Sequence, residues 1–219
     1  MLYHWLNKQN NRRLIVFFAG WSFDYKPFEY LKCGDYDVLF MYDYSDISNN
    51  SLPDLKGYEN KYLITWSMGV YTAYKIRNIL PDFDKKIAVN GTVFPVCNEY
   101  GIPDKPFLLT LKHAEKGLEG KFYRNIFDND TEYERYMTSP VQRSKENSVT
   151  ELNRLYERIR NDTKIYEKYY DFAYISENDK IIPADNQRNF WLKYETDFAL
   201  LDSGHFPFYN YSAWNELIN

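Results

Sequence analysis

The chain has 219 residues, 44% of them hydrophobic, with a net charge of −4 and a pI near 5.5. That suffices for one domain with a sizeable core. It sets aside a general nucleic-acid binder, which would carry a basic stripe; no apolar stretch approaches the ~20 residues that span a bilayer, so no membrane partner is expected either.

The first stretch, MLYHWLNKQNNRR, has no apolar core segment and no small-residue cleavage site, so no signal peptide is expected. RLIVFFAG (13–20), DVLFMYDY (37–44), KYLITWS (61–67) and KIAVNGTVF (86–94) are short apolar runs that read as strands buried on both faces. Between the third and fourth, Val70, Ala73, Tyr74 and Ile76 to Leu80 fit a helix packed on a sheet, with Pro81 as its stop. From 105 to 168 the pattern changes to short amphipathic helices. SVTELNRLYERIR (148–160) is the best of them, with Val149, Leu152, Tyr156 and Ile159 on one face and Ser148 and Glu151 as an S-x-x-E capping box. Strand signals return in DFAYIS (171–176) and FALLD (198–202), with a helix between them and a short one at the end. This alternation predicts an α/β fold with a mostly parallel central sheet flanked by helices. The core is expected over 1–104 and 169–219, with a helical lid inserted at 105–168. Cys33 and Cys97 stand far apart with no C-x-x-C or histidine neighbour, which predicts free thiols in a reducing compartment.

Three residues with complementary chemistry fall at predicted strand ends, where open α/β sheets collect their ligands. Ser67 follows KYLITW in TWSMG, a near match to G-x-S-x-G with Thr65 in the first glycine's place. Asp179 lies in SENDKIIP after the next-to-last strand, and His205 in DSGHFPF after the last. The order Ser, Asp, His is that of α/β-hydrolases. A serine hydroxyl is a poor nucleophile until a histidine takes its proton, and a carboxylate holds that histidine in the required tautomer. The second oxyanion donor of such a site comes from the loop after the first buried strand, so the backbone N–H groups of Met68 and Trp21 are the candidates. Glu177 is the second choice for the acid. Asp185 also competes; Asp202 stands too close in sequence to His205 and reads as a turn former, while Asp24 and Asp43 read as loop or N-cap residues. His4 and His113 read as solvated or structural.

FFAGWSFD (17–24), TWSMGVY (65–71), VNGTVFPVCNEYGIP (89–103) and SENDKIIP (176–183), in that order, resemble the BioG-type pimeloyl-acyl-carrier-protein methyl ester esterases, a family of α/β-hydrolases. The resemblance covers essentially the whole chain. It implies a cytoplasmic carboxylesterase that hydrolyses the methyl ester of pimeloyl-acyl-carrier protein in biotin precursor synthesis, with no metal or organic cofactor. Carried over onto the matching motifs, Ser67 is the nucleophile, Asp179 the acid and His205 the base, with Trp21 and Met68 at the oxyanion. Two departures stand out. Ala19 replaces the histidine that usually opens the oxyanion loop, and Thr65 replaces a glycine.

The implied carrier protein is acidic, so a negatively charged enzyme needs local attraction. Residues 105–168 carry a net +2 against −6 for the remainder. Within them Arg154 and Arg158, with Arg143, Lys145 and Arg160, form the best basic patch, the alternative being an ordinary solvated helix face. A thioesterase or general short-chain carboxylesterase would use the same three residues. A catalytically silent α/β-hydrolase-fold binding protein would have no need to keep them.

Overall fold

The computed structural model describes residues 1–47, 52–116, 121–163 and 165–218. Its frame is a seven-stranded sheet built from β1 (Leu2–Asn7), β2 (Arg13–Phe18), β3 (Tyr36–Tyr42), β4 (Asn60–Trp66), β5 (Lys85–Val89), β6 (Phe172–Ser176) and β7 (Asp197–Leu201). The order across the sheet is β1-β3-β2-β4-β5-β6-β7. β1 runs antiparallel to β3 and every other pairing is parallel.

The apolar runs explain the middle of this sheet. Leu14 to Phe18 and Val38 to Met41 are at most 1% exposed, because helices or loops cover both faces of these strands. β1 lies at the edge, with its first residues exposed and the rest half-buried. β5 ends at Val89, earlier than the run KIAVNGTVF suggests, because Asn90 takes a left-handed conformation (φ 44°) that stops the strand. The β2–β4 contact positions the site. The chain leaves β2 for β3 on one side and returns to β4 on the other, so the strand order reverses there. Phe18 pairs with Thr65 across this switch, which sets the loop after β2 beside the turn after β4.

The helices are α1 (Met68–Lys75), α2 (Asp104–His113), α3 (Lys121–Ile126), α4 (Asp130–Met137), α5 (Lys145–Arg160) and α6 (Ala184–Lys193). α1 buries Met68 to Tyr74 and ends at Lys75, well before Pro81. Beyond Ile76 the chain tightens into a 3₁₀ turn, with Ile79 54% exposed, so no apolar face remains to hold a longer helix. The short C-terminal helix is likewise a 3₁₀ turn, Trp214–Leu217.

α2 to α5 stand between β5 and β6; α2 begins at Asp104, one residue before the segment 105–168 read from the sequence, and residues 117–120 and 164 of that segment lie outside the described residues. α5 corrects one expectation. It begins at Lys145, and its N-cap is Ser144, whose side chain accepts a hydrogen bond from the Asn147 N–H. Ser148 and Glu151 therefore sit in the helix interior rather than forming a capping box. Both are buried, on the same face as Leu152, Leu155 and Ile159. The carboxylate of Glu151 bonds elsewhere in the molecule, so it is not available to cap the helix. Both cysteines are free and half-buried. Among the described residues no helix is long and apolar enough to cross a membrane.

Candidate active site

Ser67 stands between the last residue of β4 and the first of α1, with φ 56° and ψ −123°. A non-glycine residue held there costs about 1–3 kcal/mol, so its surroundings must over-determine it. They do so through hydrogen bonds and through close backbone approach. The Ser67 N–H donates to Val89 O at 3.0 Å and Ser67 O accepts from the Val70 N–H at 3.1 Å. A Cβ on Gly69 would lie 2.3 Å from Phe18 O, and one on Gly91 would lie 2.6 Å from Ser67 O. Thr65 causes no crowding. Its hydroxyl turns to β5 and donates to Ile87 O at 3.1 Å.

The structure brings Ser67, His205 and Asp179 into one line. His205 Nε2 lies 2.9 Å from Ser67 Oγ, and His205 Nδ1 lies 2.8 Å from Asp179 Oδ2. An ionised carboxylate only accepts, so Nδ1 carries the proton and Nε2 is left to accept from the serine hydroxyl. His205 is 2% exposed, Ser67 6% and Asp179 9%. Asp179 is fully engaged: Oδ1 accepts from the N–H groups of Ile181 and Ile182, and Oδ2 accepts from Gln187 Nε2 as well as from His205. The N–H groups of Trp21 and Met68 have no hydrogen-bond acceptor among the described residues, and both residues line the space beside Ser67. That space is a cavity of about 440 Å³. Its wall is mainly apolar, with Trp21, Trp66, Phe107, Phe122, Ile126 and Leu152, and it carries His113, Lys121 and Lys180 as cationic or titratable groups.

The other candidates lie apart from this line. Glu177 pairs with Arg188 on the surface, and Arg188 also holds Asp185. Asp202 accepts from Asn178. His4 stacks on Tyr25, and burial lowers its pKa. Asp24 is buried and accepts from the N–H groups of Lys26 and Gln142. In the basic patch, Arg154 is exposed beside Glu157, whereas Arg158 donates to Tyr44 O and Ser45 O. Arg143 is buried against Glu151 and Asp43, so it offers no surface charge.

Sequence reasoning missed three polar residues around the site. Asn90 is fully buried; it donates to Ser176 Oγ and His205 O and accepts from the Ser176 N–H. It thereby ties the ends of β5, β6 and the His205 loop together. Gln187 fixes Asp179 from α6, and Glu151, from α5, accepts from the N–H of Ser22 beside Trp21. Asn90 gave one signal, a polar residue directly after the apolar run IAV. Gln187 gave none, because a polar residue on a helix is ordinarily exposed, and Glu151 reads only as half of a capping box.

A mostly parallel sheet with a serine after β4, a carboxylate after β6 and a histidine after β7, facing an apolar cleft, defines an α/β-hydrolase. Residues 1–217 match the family described as pimeloyl-ACP methyl esterase BioG, and the chain belongs to that family, which places it among the carboxylic ester hydrolases. It is similar to the crystal structure of BioG from Haemophilus influenzae, with 29% identity, full coverage of both chains and a TM-score of 0.91. An esterase from Exiguobacterium antarcticum shares the fold at 17% identity, over 91% of this chain and 87% of that one, with a TM-score of 0.68. A Bacteroides fragilis protein named malonyl-[acyl-carrier protein] O-methyltransferase is 32% identical over 89% of this chain, which spans 40% of that protein's length.

Proposed function

We propose that the protein hydrolyses the methyl ester of pimeloyl-acyl-carrier protein in biotin precursor synthesis, through an acyl-enzyme on Ser67. The family match over residues 1–217 supports the substrate, and the observation that carries the mechanism is the unbroken line Ser67 Oγ–His205–Asp179, with contacts of 2.9 and 2.8 Å, opening into an apolar cavity. His205 takes the serine proton as Oγ attacks the ester carbonyl, and Asp179 stabilises the imidazolium that forms. The oxyanion is met by the free N–H groups of Trp21 and Met68. His205 returns the proton to the departing methoxide, releasing methanol, and then activates the water that frees the carboxylate. The cavity volume suits a medium-length acyl chain. The helices over 105–168 act as the lid that covers it.

The test uses the purified chain and a short p-nitrophenyl ester. Ser67→Ala and His205→Ala should each lose at least about 10³-fold in kcat, while His113→Ala stays within about threefold of the parent. Full activity in Ser67→Ala would overturn the mechanism. Rescue of biotin-free growth in a strain lacking its own pimeloyl ester esterase tests the substrate. Esterase activity without rescue would favour a general carboxylesterase or thioesterase.

The acyl-carrier protein is the proposed partner, met by the basic face of α5. Arg154 is the residue to test, because its guanidinium is exposed, whereas that of Arg158 also supports the backbone after β3. Arg154→Glu should weaken turnover of the carrier-linked ester by about three- to tenfold and leave a small ester unaffected. Equal effects on both substrates would assign Arg154 to the fold alone.

A further inference from the structure

A second buried polar cluster joins α5 to the loops after β2 and β3. Glu151, fully buried in mid-helix, accepts three donors. Its Oε1 takes the Tyr44 N–H at 2.8 Å, and its Oε2 takes the Ser22 N–H at 3.2 Å and Arg143 Nη1 at 2.6 Å. One turn earlier on the same face, Ser148 O accepts from Trp21 Nε1 at 2.7 Å. Arg143 Nε donates to Asn147 Oδ1 at 2.7 Å, and Asn147 Nδ2 donates to Asp43 Oδ2 at 2.8 Å. Both loops need such support, because Ser22 (φ 68°) and Asp43 (φ 55°) are non-glycine residues in the left-handed region.

The cluster meets the reaction at Trp21. Its indole is tied to α5 and the amide of the following residue to Glu151, while Gly20 O, in the peptide that carries the Trp21 N–H, accepts from the Phe23 N–H at 3.3 Å, so the side chain and both flanking peptides of Trp21 are held. We infer that Glu151 is a positioning residue, which, braced by Arg143, fixes the turn after β2 so that the Trp21 N–H faces the oxygen that gains charge when Ser67 attacks. This rests on the reading of Ser67 and Trp21 given above. The chemistry explains why a carboxylate stands here. All three partners are donors, and only a group with acceptors on both oxygens serves them together. A glutamine would point its NH₂ at the Tyr44 N–H or at both the Ser22 N–H and Arg143.

Oxyanion donors act in the transition state far more than on bound substrate. The test compares Glu151→Gln with the parent, using p-nitrophenyl butyrate and an alkyl trifluoromethyl ketone. Ser67 Oγ adds to the ketone carbonyl while His205 takes the hydroxyl proton, which leaves an oxyanion in the site. Expected are a loss of about 10- to 100-fold in kcat, a KM within about twofold, and an inhibition constant for the ketone that rises as kcat falls. Unchanged kcat, a loss carried by KM alone, or unchanged ketone affinity would each overturn the proposal. If Glu151→Gln does not fold, Arg143→Lys keeps the positive charge but cannot fork to Glu151 and Asn147 together. It should show the same pattern at about fivefold, and parental kinetics in it would overturn the proposal. Activity retained in Ser67→Ala would instead remove the underlying reading of the nucleophile, which is a separate outcome.

Discussion

Ser67, Asp179 and His205 could be picked out as candidates because strand ends are visible in a sequence and each of the three brings a distinct chemistry to one of them. Asn90 shows where that reading stops. Its side chain joins Ser176, Gly204 and His205, residues far along the chain, and its backbone is left-handed. Asparagine tolerates that conformation better than most residues, so one residue serves both demands. Asn90→Gly keeps the backbone and removes the bonds. It should cost about 2–3 kcal/mol, since the Ser176 N–H loses its acceptor, and lower kcat as His205 loses its brace. Asn90→Ala should be less stable still, because a Cβ is strained at that φ. Thermal unfolding with ester turnover on both variants checks this, and equal stability of the two would show that the backbone conformation is not the issue.

At the scale of elements, the strand-to-helix turn at Ser67 is shaped from two sides. Gly69 admits the β2 backbone and Gly91 admits the turn itself. TWSMG contains only one of these glycines; the other comes from the loop after β5. Gly91→Ala would put a Cβ 2.6 Å from both Ser67 O and Val70 Cγ2, so Ser67 must shift. A loss of about 1–3 kcal/mol is expected, near 3–10 °C in Tm for a chain of this size, together with reduced turnover. A variant of parental Tm and kcat would mean that the turn has slack. α5 carries the same lesson. Its apolar spacing was legible, but its start and the role of Glu151 were not, because the partners of Ser144 and Glu151 decide them.

For the whole molecule, Asp37 at the start of β3 fastens the β1–β2 connection. Its carboxylate accepts from the N–H groups of Gln9 and Asn11, from the Asn11 side chain and from the Tyr58 hydroxyl. Burial pushes this carboxyl up, but those donors outweigh it and hold it below the usual range. A lowered folded-state pKa gives stability that is complete above the ordinary aspartate value and lost as pH falls through the folded one. Asp37→Asn should therefore unfold about 4–8 °C below the parent at pH 7, roughly 2 kcal/mol, with the gap narrowing as pH falls below about 4. A gap independent of pH would point to packing rather than charge.

By itself the sequence determined the central strands β2 to β5, because burial on both faces requires unbroken apolar runs, and the apolar faces of α1 and α5, because a helix packed on a core requires a 3.6-residue repeat; it did not mark the half-exposed edge strand β1 or the helix ends. It also determined which nucleophile, base and acid the chain could offer at strand ends. Only the tertiary structure decided that β2 and β4 would be neighbours, which sets Trp21 beside Ser67. Only it decided that Asn90, Gln187 and Glu151 would close around them. Those contacts join residues up to 129 positions apart, and a hydrogen bond between groups so distant leaves no periodic trace in the chain.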